Sequence, residues 1–260
     1  MHDPLLVAHA LDQIEYLNSS IKTSTPIYLH DVHEMIQFLQ LSAGTLSMPA
    51  EFAPFAFRGW LPTPQLALIA RAECLVAEVC TDKHYEALGC TLNINEIHRQ
   101  IVEPARESGH AWWSDAHRGQ CAPIGVISDV EAALRRHGRL TRAHSGILRE
   151  ISLVTLSAAA IAESLGRLKK LVSCPILVMP HVAVRLEDGT PLAERAEHIG
   201  KVVEAAHQSG LTILDPHRFI DRDAQKCVLA DGGRDLHHYA TDYLPVVGLE
   251  IVRSLRTLRL

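Results

Sequence analysis

The sequence predicts an α/β protein, a three-layer sandwich with a mainly parallel sheet of about four or five strands. Short apolar runs at Cys74 to Cys80 and Cys174 to Pro180 have the continuous hydrophobicity of strands that are buried on both faces. Between these runs lie longer segments with apolar residues at helical spacing. Strands that alternate with helices form βαβ units, and the strands of such units are parallel.

The continuous apolar runs and the helical spacing predict the individual elements. Asp3 as a cap and Pro4 at the first helical position predict a helix at residues 4–17. A second helical stripe starts at Val32. The remaining elements, assigned in the same way, are strands at 26–30, 74–80, 174–180 and 211–214 and helices at 65–71, 92–107, 146–171, 191–208 and 237–256.

We expect one α/β domain over residues 1–260, with a long loop at 42–64 and an insertion around 109–145. The loop is rich in proline and glycine and carries four aromatic residues, Phe52, Phe55, Phe57 and Trp60. Long loops in compact domains are often functional, so these aromatics are candidates for an apolar lid, or for anchors that fix the loop to the core.

Composition limits the partners. The formal net charge of −5 and the absence of a Lys/Arg-rich run argue against nucleic acid and against an anionic membrane surface. The six cysteines form no C-x-x-C pair, which favours a reduced, cytoplasmic setting in which buried thiols act as small apolar groups. We expect a small-molecule or carbohydrate substrate and no cofactor, we assign no metal ligands, and we leave open both the binding of a metal and association into a homo-oligomer.

Polar residues cluster where the predicted strands end. In open parallel sheets, ligands bind outside the carboxyl ends of the strands. The candidates for lining such a site are His30, Asp31, His33, Glu78 and His181, and Asp215 and His217 follow the fourth strand. Several imidazoles at one edge of a sheet would suit acid–base chemistry.

The sharpest indication of chemistry is Asp235-Leu236-His237-His238-Tyr239, which is predicted to open the last helix. An acidic residue three positions before a histidine can orient the imidazole, while the other ring nitrogen faces a substrate. Asp235 and His238 are therefore the candidate catalytic pair.

These features resemble the SGNH/GDSL hydrolase superfamily, in its divergent bacterial branch of polysaccharide-associated and secondary-metabolite proteins. Asp235 to His238 is similar to the D-x-x-H block of that family, and Gly89-Cys90-Thr91-Leu92-Asn93 is similar to a degenerate G-x-N-D block. The resemblance implies an SGNH/flavodoxin-like fold over most of residues 26–256. It also implies acyl-ester hydrolysis or acyl transfer, with His238 as base, Asp235 as its orienting acid and Asn93 as oxyanion donor.

The sequence departs from the family at the nucleophile. The family carries a serine in a G-D-S block after its first strand, and no such block is present here. Ser42, Ser47 and Ser145 lack the strand-to-turn setting that exposes an activated hydroxyl. The identity of the nucleophile is therefore open.

Two other functions remain open. A metal-dependent hydrolase could use His30, His33 and His181, because imidazole suits zinc and manganese. Ser114-Asp115-Ala116-His117 is similar to the D-A-H block of arginase-like ureohydrolases, but Gly119 stands where that family needs an aspartate. A non-catalytic binding protein on an SGNH-like fold would explain the missing nucleophile.

Overall fold

The computed structural model describes residues 29–57 and 72–258 together with Pro4 and Ala8. The predicted helix at 65–71, and most of the predicted helix at 4–17 and of the predicted strand at 26–30, lie outside these residues. The chain divides into two compact units. Of the described residues, unit 1 contains Pro4, Ala8, 72–82 and 157–258, and unit 2 contains 29–57 and 83–156.

Within the described residues, the strands are β1 (Leu75–Val79), β2 (Lys83–Ala87), β3 (Cys90–Leu92), β4 (Ser152–Thr155), β5 (Ile176–Pro180) and β6 (Thr212–Ile213). The α-helices are α1 (Val32–Ser42), α2 (Ala53–Phe57), α3 (Ile94–Ile97), α4 (Glu103–Ala116), α5 (Ile124–Arg136), α6 (Arg142–Glu150), α7 (Ala158–Leu171), α8 (Ala193–Gln208), α9 (His217–Arg222), α10 (Gln225–Val228), α11 (Ala230–Gly233) and α12 (Leu244–Thr257). A π-helical segment, His98–Val102, joins α3 to α4, and 3-10 turns precede α2 and α12.

Unit 1 contains a parallel sheet of order β1-β5-β6, with β5 in the centre. All five residues of β5 are buried, as its uninterrupted apolar sequence requires for a strand covered on both faces. Helix α8 packs against β5, β6 and α7. The predicted strands at 74–80 and 174–180 and the predicted helix at 191–208 are confirmed. Burial on both faces holds for β5 but not for β1, which is partly buried and has Glu78 exposed.

Unit 2 contains a separate antiparallel sheet of order β3-β2-β4. The parallel sheet has three strands among the described residues, and the antiparallel sheet was not predicted. The count of four or five strands stays a prediction, because most of the predicted strand at 26–30 lies outside these residues. Leu88 and Gly89 connect β2 to β3, and both have positive φ, 53° and 75°. A two-residue connection with both φ positive matches the twist of an antiparallel hairpin.

Two predicted helices have different limits. The helix predicted at 146–171 is interrupted, because α6 ends at Glu150, β4 follows, and the Ser157 side chain caps α7 by accepting from Ala160 N. The helix predicted at 237–256 begins at Leu244. Pro245 fits its first turn, because the backbone N–H that proline lacks would have no partner within the helix there. Asp235 to His238 therefore lie in a loop before the last helix.

The core of unit 2 contains the residues that were predicted as a loop and an insertion. Phe52, Phe55 and Phe57 are buried in this core, so they anchor the segment and do not form a surface lid. Trp60 lies outside the described residues. The segment 109–145 contributes Trp112 and the apolar face of α5 to the same core. A single domain with an insertion stays a prediction, since compact units within one chain are compatible with one domain or two.

Helix α4 has a glycine where no side chain fits. Arg106 adopts φ 54° and ψ −126°, which kinks the helix, and a Cβ at Gly109 would lie 2.4 Å from the carbonyl oxygen of Val102. We expect Gly109→Ala to reduce the free energy of unfolding by about 1–3 kcal/mol through this clash. In Gly166→Ala, the new methyl group meets nothing within 4 Å, so we expect a gain of about 0.5–1 kcal/mol. Urea denaturation measures both changes, and equal stability of the two variants would contradict the expected clash.

The fold is mixed α/β, as predicted, and the SGNH-like three-layer sandwich stays a prediction. Among the described helices, none has the length and apolarity required to cross a bilayer.

Candidate functional site

The carboxyl ends of the parallel strands bring three chemically active side chains to one edge of unit 1. In the register of β1 and β5, Val79 is opposite Pro180, so Cys80 and His181 are the next residues on the two neighbouring strands. A carboxylate oxygen of Glu78, the Cys80 Sγ and a ring nitrogen of His181 lie within 4.8 Å of one another. This is the edge at which open parallel sheets bind ligands.

The Asp235 and His238 side chains form the predicted pair. Asp235 Oδ2 is 2.8 Å from His238 Nδ1, and Asp235 Oδ1 accepts a hydrogen bond from the backbone N of His237. The loop is fixed by hydrogen bonds from Asp235 N to Ala230 O and from Ala230 N to His238 O. The hydrogen bond with His238 lowers the pKa of Asp235, and the backbone donor at His237 adds to this effect. The carboxylate therefore holds Nδ1 and directs Nε2 away from itself.

His181 connects this pair to the edge of the sheet. Its ring lies 5.7 Å from the ring of His237, which in turn lies 6.4 Å from the ring of His238. Burial, with smaller contributions from Arg195 and three neighbouring histidines, lowers the pKa of His181 to about 3. His181 is therefore neutral at pH 7. Its Nδ1 is buried and has no hydrogen-bond partner among the described residues.

The low pKa of His181 predicts a pH-dependent stability. The unfolded chain binds a proton at this histidine below about pH 6.5, and the folded chain binds it only near pH 3. The free energy of unfolding therefore decreases as the pH is lowered from about 6.5 to about 3. We expect His181→Gln to reduce the slope of unfolding free energy against pH by up to about 1.4 kcal/mol per pH unit. Urea titrations at several pH values measure the slope, with the exposed His137→Gln as control. An unchanged slope in His181→Gln would contradict the prediction.

Helix α8 supplies two further basic side chains to this edge. Arg195 Nη1 donates to Val182 O at 3.0 Å, and His198 Nε2 is 3.0 Å from Val79 O. They are three residues apart on one helix and both reach residues next to strand ends. A second Asp–His pair follows β6, where Asp215 Oδ1 is 3.0 Å from His217 Nδ1. Sequence reasoning named Asp215 and His217 but missed Arg195 and His198.

A second cluster lies in unit 2, at the start of α1. Asp31 Oδ1 caps the helix by accepting from His33 N and Glu34 N, while Oδ2 is 3.2 Å from Nδ1 of the buried His84. The His33 and His84 rings are 4.3 Å apart. Burial lowers the pKa of His84, but the hydrogen bond and the charge of Asp31 outweigh it, and the net shift is upward. His84 was missed because β2 was not predicted.

Asn93 is also in unit 2, as the N-cap of α3. Its Oδ1 accepts from Asn95 N and Glu96 N, and its Nδ2 donates to Glu34 Oε2 at 2.7 Å. Nδ1 of His30 is 3.2 Å from the same amide nitrogen. Burial raises the pKa of Glu34 although these polar neighbours oppose the shift. The role of Asn93 as oxyanion donor stays a prediction.

The predicted site residues thus fall into two groups. Unit 1 contains Glu78, His181, Asp235 and His238, and unit 2 contains His30, Asp31, His33 and Asn93. Convergence of all of them on one crevice stays a prediction. The residues that sequence reasoning left out of the candidate site are Cys80, His84, Arg195 and His198.

Unit 1 is thus an α/β unit with an oriented Asp–His pair and a histidine-rich strand edge. The family described as the TviD N-terminal domain matches residues 1–254, and the chain belongs to that family. A curated protein of Salmonella typhi, "Vi polysaccharide biosynthesis protein TviD", is 23% identical over 215 residues, which cover 82% of this chain and 26% of that protein. The chain therefore spans about a quarter of the length of this relative. No solved structure matches.

Proposed function

We propose that the protein transfers an acyl group to a hydroxylated carbohydrate, or hydrolyses an acyl ester of one. The observation that carries the proposal is the 2.8 Å contact between Asp235 Oδ2 and His238 Nδ1, beside a parallel-sheet edge. The family membership and the polysaccharide-biosynthesis relative support a carbohydrate as the acceptor. The D-x-x-H resemblance supports acyl chemistry.

In this proposal, Nε2 of His238 removes the proton from the attacking group and later returns it to the leaving group. Asp235 fixes the tautomer in which Nδ1 carries a proton and stabilises the imidazolium that forms. Asp235 is suited to this role, because its hydrogen bonds lower its pKa and keep it ionised. Asn93 is not included in the proposal, since its amide donates to Glu34 and its carbonyl oxygen caps α3.

The test uses purified protein with p-nitrophenyl acetate, alone and with simple methyl glycosides as acceptors. We expect p-nitrophenol release above the buffer rate in both reactions. With the glycosides, we also expect an acetylated glycoside that mass spectrometry detects. Release without an acetylated glycoside would favour hydrolysis over transfer. Release no faster than in buffer alone would contradict the proposal and favour the non-catalytic binding protein.

A second candidate is a metal-dependent hydrolase at the start of α1. One ligand atom each from Asp31, His33 and His84 lies within 4.8 Å of the other two, and the set combines a carboxylate with two imidazoles. Such a set suits zinc. Nε2 of His84 lies 3.7 Å from Glu86 Oε2, a carboxylate placed to orient a metal-bound imidazole.

This candidate predicts metal binding in unit 2. Protein purified without chelator should contain about one zinc per chain, and His84→Ala should reduce that content at least about tenfold. Elemental analysis measures the metal, and the exposed His137→Ala serves as a matched control in the same unit. Equal zinc content in His84→Ala and His137→Ala would remove the candidate.

A further inference from the structure

Among the described residues, one thiol lies at the functional edge of the parallel sheet. Cys80 directly follows β1 and is partly buried, and the β1–β5 register makes it the neighbour of His181. Cys74 and Cys174 precede β1 and β5, so they belong to the opposite edge of the sheet. Cys90 lies in β3 of unit 2, and Cys121 and Cys227 are exposed on helical segments or loops. Cys80 therefore lies at the carboxyl end of its strand, where open parallel sheets bind their ligands.

The surroundings of Cys80 suit a reactive thiol. Its Sγ lies within 4.8 Å of a ring nitrogen of His181. The guanidinium of Arg195 interacts electrostatically with Cys80 and is held in place by its hydrogen bond to Val182 O. A fixed positive charge near a thiol favours the thiolate, which is the nucleophilic form, and the Glu78 carboxylate within 4.8 Å of the sulfur opposes this effect.

The general base lies beside the same strand end. His238 interacts electrostatically with His181, and the His237 ring lies 5.7 Å from the His181 ring and 6.4 Å from the His238 ring. A cysteine, a histidine and an orienting aspartate are the three groups that nucleophilic acyl transfer requires.

We propose that Cys80 is the nucleophile of this site and carries the acyl group as a thioester. This proposal rests on the proposed function and identifies the nucleophile, which the missing G-D-S block left unassigned. His238 first takes the proton of the Cys80 thiol, and the thiolate attacks the carbonyl carbon of an ester or thioester donor. A C–S bond forms, the bond from the carbonyl carbon to the donor's oxygen or sulfur breaks, and the donor's alcohol or thiol leaves with the proton from His238. A carbohydrate hydroxyl then attacks the thioester, the O–C bond forms, the C–S bond breaks, and His238 receives the hydroxyl proton. The released Cys80 thiolate takes this proton back, which restores the thiol and the neutral imidazole of His238.

His181 is placed to assist both steps. It is neutral at pH 7, and its buried Nδ1 has no hydrogen-bond partner among the described residues. A neutral imidazole with a proton on the nitrogen that faces Cys80 would donate to the oxyanion of the tetrahedral intermediate without protonating the thiolate. In this proposal, His181 replaces Asn93 as the oxyanion donor.

The test traps the acyl-enzyme. Wild-type protein is mixed with p-nitrophenyl acetate, quenched in acid and analysed by intact mass and peptide mapping. We expect a single acetyl group on the peptide that contains Cys80, removable by neutral hydroxylamine. Acetylation should be slower in His238→Ala, because the base that activates the thiol is missing. This measurement on the wild type does not depend on whether a Cys80 variant folds.

Two variants complete the test. Cys80→Ala should lose the acetyl group and reduce turnover at least about 100-fold, while the exposed Cys227→Ala, in the same unit, should change neither. Turnover that survives in Cys80→Ala but not in His238→Ala would overturn Cys80 as nucleophile and leave the proposed function intact. Absence of both turnover and acetylation in the wild type would remove both proposals. Stoichiometric zinc that is lost in Cys80→Ala would overturn the nucleophile by making Cys80 a metal ligand.

Discussion

His238→Ala is expected to slow the turnover of p-nitrophenyl acetate by about 10²–10⁴-fold, which is the usual contribution of a general base. The reason is the 2.8 Å contact that fixes Nδ1 on Asp235 and leaves Nε2 for proton transfer. Asp235→Asn is expected to keep the fold and to lose part of the rate, because an amide does not stabilise an imidazolium as a carboxylate does. Stopped-flow or steady-state release of p-nitrophenol measures both variants, with circular dichroism as the check on folding.

The structure offers two matched controls for this prediction. His237→Ala removes the adjacent imidazole. Asp235 accepts a hydrogen bond from the backbone N of His237, which the variant keeps, and its side-chain contact is with the ring of His238. His217→Ala removes the other Asp–His pair of unit 1, in which Asp215 Oδ1 is 3.0 Å from Nδ1. Both are expected to retain most of the turnover. If His217→Ala loses activity and His238→Ala retains it, the catalytic pair is the one that follows β6.

Leu177→Asp is expected to prevent unit 1 from folding. Leu177 is fully buried in the central strand β5 and belongs to the apolar core of this unit. An unpaired charge at such a position costs several kcal/mol, which is comparable to the total stability of about 5–15 kcal/mol for a domain. The variant should be insoluble or should lose cooperative unfolding in a thermal scan.

The control for this prediction is Leu186→Asp, because Leu186 is 48% exposed and its new carboxylate would stay hydrated. This variant should unfold at nearly the wild-type temperature. Val76→Asp tests the neighbouring strand β1, where the side chain is partly buried, so we expect a smaller loss than at Leu177. Soluble Leu177→Asp protein with a wild-type melting curve would contradict the central position of β5.

The sequence predicts the parts of this structure that depend on residues close together in the chain, and it misses those that depend on distant residues. The strands β1 and β5 were predictable because an apolar run long enough for one strand is a local signal. The hairpin of β2 and β3 was missed because Lys83 to Ala87 is largely polar and its turn is Leu88-Gly89, without the Asn-Gly or Asp-Gly that usually marks such turns. The last helix starts later than predicted, at Leu244, because Asp235 accepts a backbone hydrogen bond from His237 as a helix cap would but does so in a loop.

The same distinction applies to the candidate site. Asp235 and His238 are three residues apart, so their contact could be predicted from the sequence. The proximity of Cys80 to His181 depends on β1 and β5 being neighbours in register, which a single sequence does not specify. Arg195 and His198 required the position of α8 against the sheet, and His84 required the fold of β2.

The order of segments along the chain determines when each unit can be completed during synthesis. The described part of unit 2 ends at residue 156, before β5 begins. Its described strands, β2, β3 and β4, have therefore been synthesised while β1 still lacks its parallel partner. An apolar strand without a neighbour exposes unsatisfied backbone groups and is open to pairing with other chains. The nascent protein therefore passes through a stage in which β1, the strand that presents Cys80, is most vulnerable to aggregation.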